Sequence, residues 1–189
     1  MKRLIYSVVC LIVFSFVVSG CLTVEKKEYK IHLTGKTSGN GTIKYVNILS
    51  QKENEKDVSM KDFAELITDY IQGDKVNNDF QGIKIINKKV FEENGVLCAE
   101  FSFEFDSLKH MKIFQYDKDS PYMLLIQNSY SSEAYDSSNG EYNLDSLPII
   151  FWKKGTKDFE WKTKLTSDLS NTVSLLDQYK AWEKNKKND

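Results

Sequence analysis

The chain predicts an α+β fold in one domain: an antiparallel, twisted sheet of about six to eight strands, covered by two amphipathic helices, in the order β-β-α-β-β-β-β-β-β-α. Three observations predict it. Residues 29–33 and 96–105 alternate apolar with polar side chains, the period of half-buried strands. Short Gly- and Asn-containing turns join successive strands, and parallel neighbours would need a long crossover instead. Two segments carry apolar residues at helical spacing, so each has one greasy face that must pack on the sheet.

Tyr29, Ile31 and Leu33 alternate with Lys30 and His32 in the first strand. The run 35–41, with three glycines, turns the chain into a second strand at 42–49 with Ile43, Tyr45 and Leu49 on one face. A charged loop at 51–57 follows. Ser59 with Asp62 three residues on resembles a capping box. The helix it opens places Met60, Phe63, Ala64, Ile67, Tyr70 and Ile71 at helical spacing, and Gly73 ends it. Residues 83–91 form a strand, Asn94-Gly95 a tight hairpin turn, and 96–105 the return strand. There Leu97, Ala99, Phe101, Phe103 and Phe105 share one face and Cys98, Glu100, Ser102 and Glu104 the other.

Residues 106–110 suit one helical turn, and 112–116 and 122–127 two strands around the turn 117–121. A polar stretch at 129–146 reads as a long loop. Segments 149–153 and 159–164 read as a final hairpin across 155–158. A closing helix is expected over about 168–183, with Leu169, Val173, Leu176 and Tyr179 on one stripe and Trp182 nearby, and 184–189 as a fraying tail.

The first 21 residues carry a different signal. Lys2 and Arg3 give a basic start, 4–18 are apolar except for two serines, and Val18-Ser19-Gly20-Cys21 closes the run. About fifteen apolar residues match the core of a secretion signal and fall short of the roughly 20 that span a bilayer. The segment resembles the signal peptide and lipobox of a bacterial lipoprotein. That resemblance implies cleavage between Gly20 and Cys21, with diacylglycerol on the Cys21 sulfur and an acyl group on its amine. The expected organisation is a signal at 1–20, the lipidated Cys21 with a short tether at 21–27, and one domain at 28–189. Several acyl chains hold a protein stably where one does not, so the bilayer is the first expected partner. Leu22, rather than Asp, follows the cysteine. By the same resemblance this implies the outer membrane, facing the periplasm, in a diderm host.

Removing Lys2 and Arg3 from the 26 basic residues leaves 24 against 27 acidic ones, a net charge of −3. All 24 are lysine, so the mature chain lacks the bidentate phosphate grip of arginine, and nucleic-acid binding is not expected. With Cys10 in the signal and Cys21 lipidated, Cys98 is the one remaining thiol. No disulfide within the chain is available, and a strand cysteine of this kind reads as a small buried hydrophobe.

No catalytic residues and no metal or cofactor site are predicted. Gly35-Lys36-Thr37 lacks the second glycine and the following helix of a phosphate loop. His32 and His110 stand in distant segments without metal-ligand spacing. Glu100 and Glu104 lie roughly 13 Å apart along one strand, too far for a glycosidase pair. Asp136 to Gly140 departs from calcium-loop spacing. Two features remain. Tyr130, Tyr135 and Tyr142, set among Ser and Asn in 129–146, form a possible binding loop, because tyrosine gives contact area at low entropic cost. The aromatic load, concentrated in Phe101, Phe103, Phe105, Trp152, Phe159, Trp161 and Trp182, suits either a core or the wall of an apolar site. The expected role is therefore non-catalytic: a membrane-anchored interaction or accessory module that binds another envelope protein. The alternatives are a carrier or sensor of a small apolar ligand, and a hydrolase of unrecognised type.

Overall fold

A computed structural model describes residues 22–79, 82–126, 133–144 and 147–187. The order is β1 (Leu22–Leu33), β2 (Gly39–Gln51), α1 (Ser59–Glu65) running into a π-helical segment (Leu66–Gln72), α2 (Lys75–Asp79), β3 (Ile83–Glu93), β4 (Val96–Phe105), a 3-10 turn (Leu108–Met111), β5 (Ile113–Gln115), β6 (Tyr122–Leu125), β7 (Glu133–Ser138), β8 (Glu141–Asn143), β9 (Ile149–Trp152), β10 (Asp158–Leu165), β11 (Thr172–Ser174) and α3 (Leu176–Lys186). The fold is α+β in a single domain, but the strands form two antiparallel sheets rather than one. The larger runs β3-β4-β2-β1-β10-β7 with β11 added beside β2; the smaller runs β5-β6-β9-β8.

Alternation builds the core face of the large sheet. Tyr29, Ile31 and Leu33 on β1, Ile43 and Tyr45 on β2, Phe159 and Trp161 on β10, and the five odd-numbered residues of β4 are all buried in one cluster. Asn94 and Gly95 hold φ of 53° and 78°, the left-handed pair a tight β3–β4 hairpin requires. The small sheet covers the β10 side of this face, where Trp152 of β9 and Tyr122 of β6 meet Phe159 edge-on. The helices cover the rest, joined where Phe63 meets Trp182.

Gly39 and Gly41 sit on β2 beneath Phe105 and Phe103. A Cβ at Gly39 would lie 2.1 Å from the His32 carbonyl oxygen and 2.9 Å from the Phe105 ring. Backbone cannot yield as a side-chain tip can, so Gly39→Val is expected to cost about 3 kcal/mol through overpacking. Urea titration checks this; an unchanged midpoint would mean β1 and β2 are not so closely apposed.

Four expectations are corrected. The folded pattern begins at Leu22, not at Glu28: β1 pairs from Leu22↔Ser50 onward, so 22–27 is strand rather than tether. Leu22 and Val24 fall on the opposite parity from Tyr29 and Ile31, which hides the strand from a single alternation, yet both pack against the core. Second, β9 and β10 are not a hairpin. They lie in different sheets, and the chain crosses between them through Gly155 at φ +81°. Third, 168–175 is not helix. β4 stops opposite Val46, leaving the edge of β2 open beyond it, and β11 takes that edge through Val173↔Ser50; α3 starts only at Leu176 and runs on to Lys186.

Fourth, Ser59 and Asp62 do not cap α1. The Asp57 carboxylate accepts the Ser59 N–H at 2.9 Å, and both Ser59 donors, hydroxyl first, hold that carboxyl below its usual range. The buried Asp62 carboxylate instead accepts the Ser50 hydroxyl at 2.6 Å, while Gln178 donates to the Ser59 hydroxyl at 2.8 Å. These bonds fasten α1 to β2 and α3. Gly73 does end the π-helical segment, where a Cβ would come within 2.6 Å of the Thr68 carbonyl.

Candidate functional site

Within the expected binding loop at 129–146, the described residues 133–144 are mostly strand. β7 and β8 occupy 133–138 and 141–143, and Tyr130 lies outside the described residues. Tyr135 and Tyr142 stack face to face at 3.7 Å and 5° across the gap between the sheets. The Tyr135 hydroxyl lies 3.1 Å from the Ser138 hydroxyl, which donates to the Gly140 carbonyl. Burial, and secondarily Tyr135, push the Tyr142 phenol up. The pair is spent on holding β8 to β7 rather than offered outward. Asn139 strengthens the same joint: its side-chain oxygen accepts the Trp152 indole N–H at 2.7 Å and the Glu160 backbone N–H at 2.9 Å.

Beside the tyrosines lies a polar cluster that sequence reading missed. Lys27 is 6 % exposed on the core face of β1 and donates to Glu133 at 2.5 Å. Thr163, opposite Lys27 on β10, donates to the other Glu133 oxygen at 2.8 Å. Burial first, then the Glu133 charge, push the Tyr29 phenol well above its ordinary value. Burial pulls the nearby Lys112 amine down. The signal in the sequence was parity: Lys27 shares the face of Tyr29, Ile31 and Leu33. A carboxylate clamped between a lysine and a threonine is a fastening of β7 to β1 and β10, and its lone pairs are already engaged by protein donors.

The opposite face of the large sheet is solvent-facing and ionic. Lys162 pairs with Glu28 at 2.9 Å, Lys89 with Glu100 at 2.7 Å, Lys44 with Glu93, and His32 with Asp158 at 2.7 Å. Across it runs a groove of about 480 Å³ lined by Lys30, His32, Thr42, Glu104, Asp158 and Glu160 among others. Cross-strand pairing of opposite charges makes this face its own counter-ion lattice. Cys98 lies buried on this side of β4, and burial pushes its thiol up, which keeps it neutral and a poor nucleophile. His110 pairs with Asp106 at 3.0 Å. Among the described residues, no three His, Cys, Asp or Glu side chains converge as a metal site.

The small sheet is different because three of its strands carry apolar residues on both faces, while β8 puts Glu141 and Asn143 on the outer one. Its inner row, Ile113, Leu124 and Ile150, is buried against the large sheet. Its outer row places Phe114 beside Met123 and Met123 beside Phe151, and the next outer row pairs Leu125 with Ile149. Phe114 is 53 % exposed, and Leu144 and Leu147, in the loop between β8 and β9, are 65 % and 55 % exposed. Met123, Ile149 and Phe151 are half-buried, and Tyr116, just past β5, is 87 % exposed. An exposed apolar row of this kind is a candidate interaction surface. It was visible in sequence as the unbroken run Ile149-Ile150-Phe151-Trp152, which asks for cover on both sides.

Compared with protein-family models, curated proteins and solved structures, the chain matches none.

Proposed function

We propose that this chain is a membrane-anchored lipoprotein of the bacterial cell envelope, held through acylated Cys21, and that its domain is a non-catalytic interaction or accessory module. The observation that carries the module reading is the apolar outer side of the small sheet, where Met123, Phe151 and Ile149 line up with the exposed Phe114 and Leu125. The anchor reading rests on Val18-Ser19-Gly20-Cys21, with β1 beginning at the next residue. The carrier reading draws less support, because the aromatic residues that could wall an apolar site are packed on one another. Tyr29 stacks on Trp161 at 4.5 Å, and Trp152 contacts both Phe159 and Trp161.

Mass analysis of the N-terminal peptide from the membrane fraction tests the anchor. The expected product starts at Cys21 and carries diacylglycerol plus an acyl chain, and Cys21→Ser is expected to fold but to leave the detergent phase. A Cys21→Ser protein that still needs detergent would overturn the lipid anchor. For the module, a photo-crosslinking residue at Phe114 is expected to capture one discrete envelope protein in cells, whereas the same probe at Lys162 on the ionic face captures none. Equal capture at both positions, or none at either, would count against it.

A further inference from the structure

We infer that the bilayer surface itself covers the end of the small sheet formed by Leu125, Leu144 and Leu147, so that the domain lies tilted onto this edge. The inference rests on the lipid-anchor reading above and adds to it an orientation.

Registers place this edge relative to the anchor. Tyr142 of β8 stacks on Tyr135 of β7, Tyr135 stands opposite Thr163, and Thr163 stands opposite Lys27 of β1. β8 therefore lies at about the level of Lys27 along the strand direction. β7 lies antiparallel to β10, as β1 does, so β7 and β1 share a direction, and the chain reverses at 139–140. From Tyr142 it thus heads back through Asn143 to Leu144, toward the Leu22 end of β1. Leu125 and Asn143 both pair with Ile149, which places Leu125 on the same edge. Lys27 and Leu22 are five residues apart, roughly 17 Å of strand, and Leu144 recovers about 7 Å of that beyond Tyr142. The remaining height, about 10 Å, is comparable to the depth at which interfacial apolar groups sit in the headgroup and acyl boundary, and a modest tilt removes it.

Two further observations select lipid as the occupant. β1 pairs from Leu22, so Cys21 is one peptide unit, about 3.8 Å, from the folded sheet. An acylated Cys21 leaves no slack with which to hold the apolar edge away from the bilayer. Charge is also distributed along the small sheet: its far end carries the turns with Lys118, Asp119, Lys153 and Lys154, where Lys154 pairs with Asp119. Among the described residues, the end nearer the anchor presents the exposed Leu125, Leu144 and Leu147, beside the half-buried Lys112. The charged loop at 52–57, on the β2 side, stays in water when the domain tilts the other way.

The test uses the full lipidated chain, reconstituted into phosphatidylethanolamine–phosphatidylglycerol vesicles. An environment-sensitive fluorophore is attached at Leu144→Cys, Leu147→Cys or Lys154→Cys; the unsubstituted chain controls for the buried Cys98. Labels at 144 and 147 are expected to shift to the blue on reconstitution and to be quenched by nitroxide-bearing lipids, and the label at 154 to do neither. If the N-terminal mass proves lipidation while 144 and 147 stay as water-exposed as 154, the orientation is wrong and the anchor stands. If the blue shift occurs without quenching by the nitroxide lipids, protein covers the edge and the inference fails. If Cys21 carries no lipid, anchor and orientation fall together.

Discussion

Phe159→Ala is expected to lower stability by about 3–5 kcal/mol, the range for deleting a fully buried aromatic ring. Phe159 is 0 % exposed, belongs to β10 of the large sheet, and meets Tyr122 at 5.1 Å and Trp152 at 5.3 Å, both from the small sheet. Its removal opens a void at the joint between the sheets, where β6 and β9 are held by their own register and cannot simply slide inward to fill it. A domain of this size is stable by roughly 5–15 kcal/mol, so the loss consumes a large share of the margin. Urea unfolding followed by tryptophan fluorescence reads it directly, because Trp152 and Trp161 report from the same joint. Phe159→Leu, which keeps most of the volume, is expected to retain much of the stability. An alanine variant with an unshifted midpoint would mean that the two sheets do not pack through this ring.

Lys27→Met is the second large effect, and its partner substitution is more informative than the loss itself. Removing the lysine strips Glu133 of one of the two donors that clamp it, Thr163 being the other, in a largely dry setting, and breaking a buried pair this way costs about 3–5 kcal/mol. Most of that cost is the stranded charge, not the lost attraction. Lys27→Met combined with Glu133→Leu should therefore recover stability to near that of the parent, the Thr163 hydroxyl turning to the Tyr29 hydroxyl beside it. A double-mutant cycle in urea measures the coupling. A neutral Lys27→Met single variant would show that water reaches Glu133, and the fastening role of the cluster would be lost with it.

Legibility in the sequence followed the range of the physics. The β3–β4 hairpin was read correctly because its signals are local: Asn94-Gly95 tolerates the left-handed backbone, and five alternating residues of β4 define a face whatever lies beyond. The start of α1 at Ser59 and the stop at Gly73 were readable for the same reason, although the cap came from Asp57. The tyrosines of 129–146 were singled out for their composition, but Ser, Asn and Asp mask β propensity there. Only the pairing of β7 with β10 and β8 with β9 turns that segment into strand and stacks Tyr135 on Tyr142. The apolar face now proposed as the contact surface was half visible. Ile149 to Trp152 showed an apolar strand on both sides, but not which side would remain bare.

By itself the sequence determined the α+β class and the phase of the main strands, and it raised the lipobox expectation, since each depends on residues close together in the chain or on composition. Tertiary structure alone decided the rest. It sent β9 and β10 to different sheets, gave the open edge of β2 to β11, buried Lys27 against Glu133, and left Phe114 and Leu125 of the small sheet exposed. Each of those outcomes is a choice of partner among segments remote in sequence, and cross-strand packing energy carries no trace in the local pattern of either strand until both are brought together.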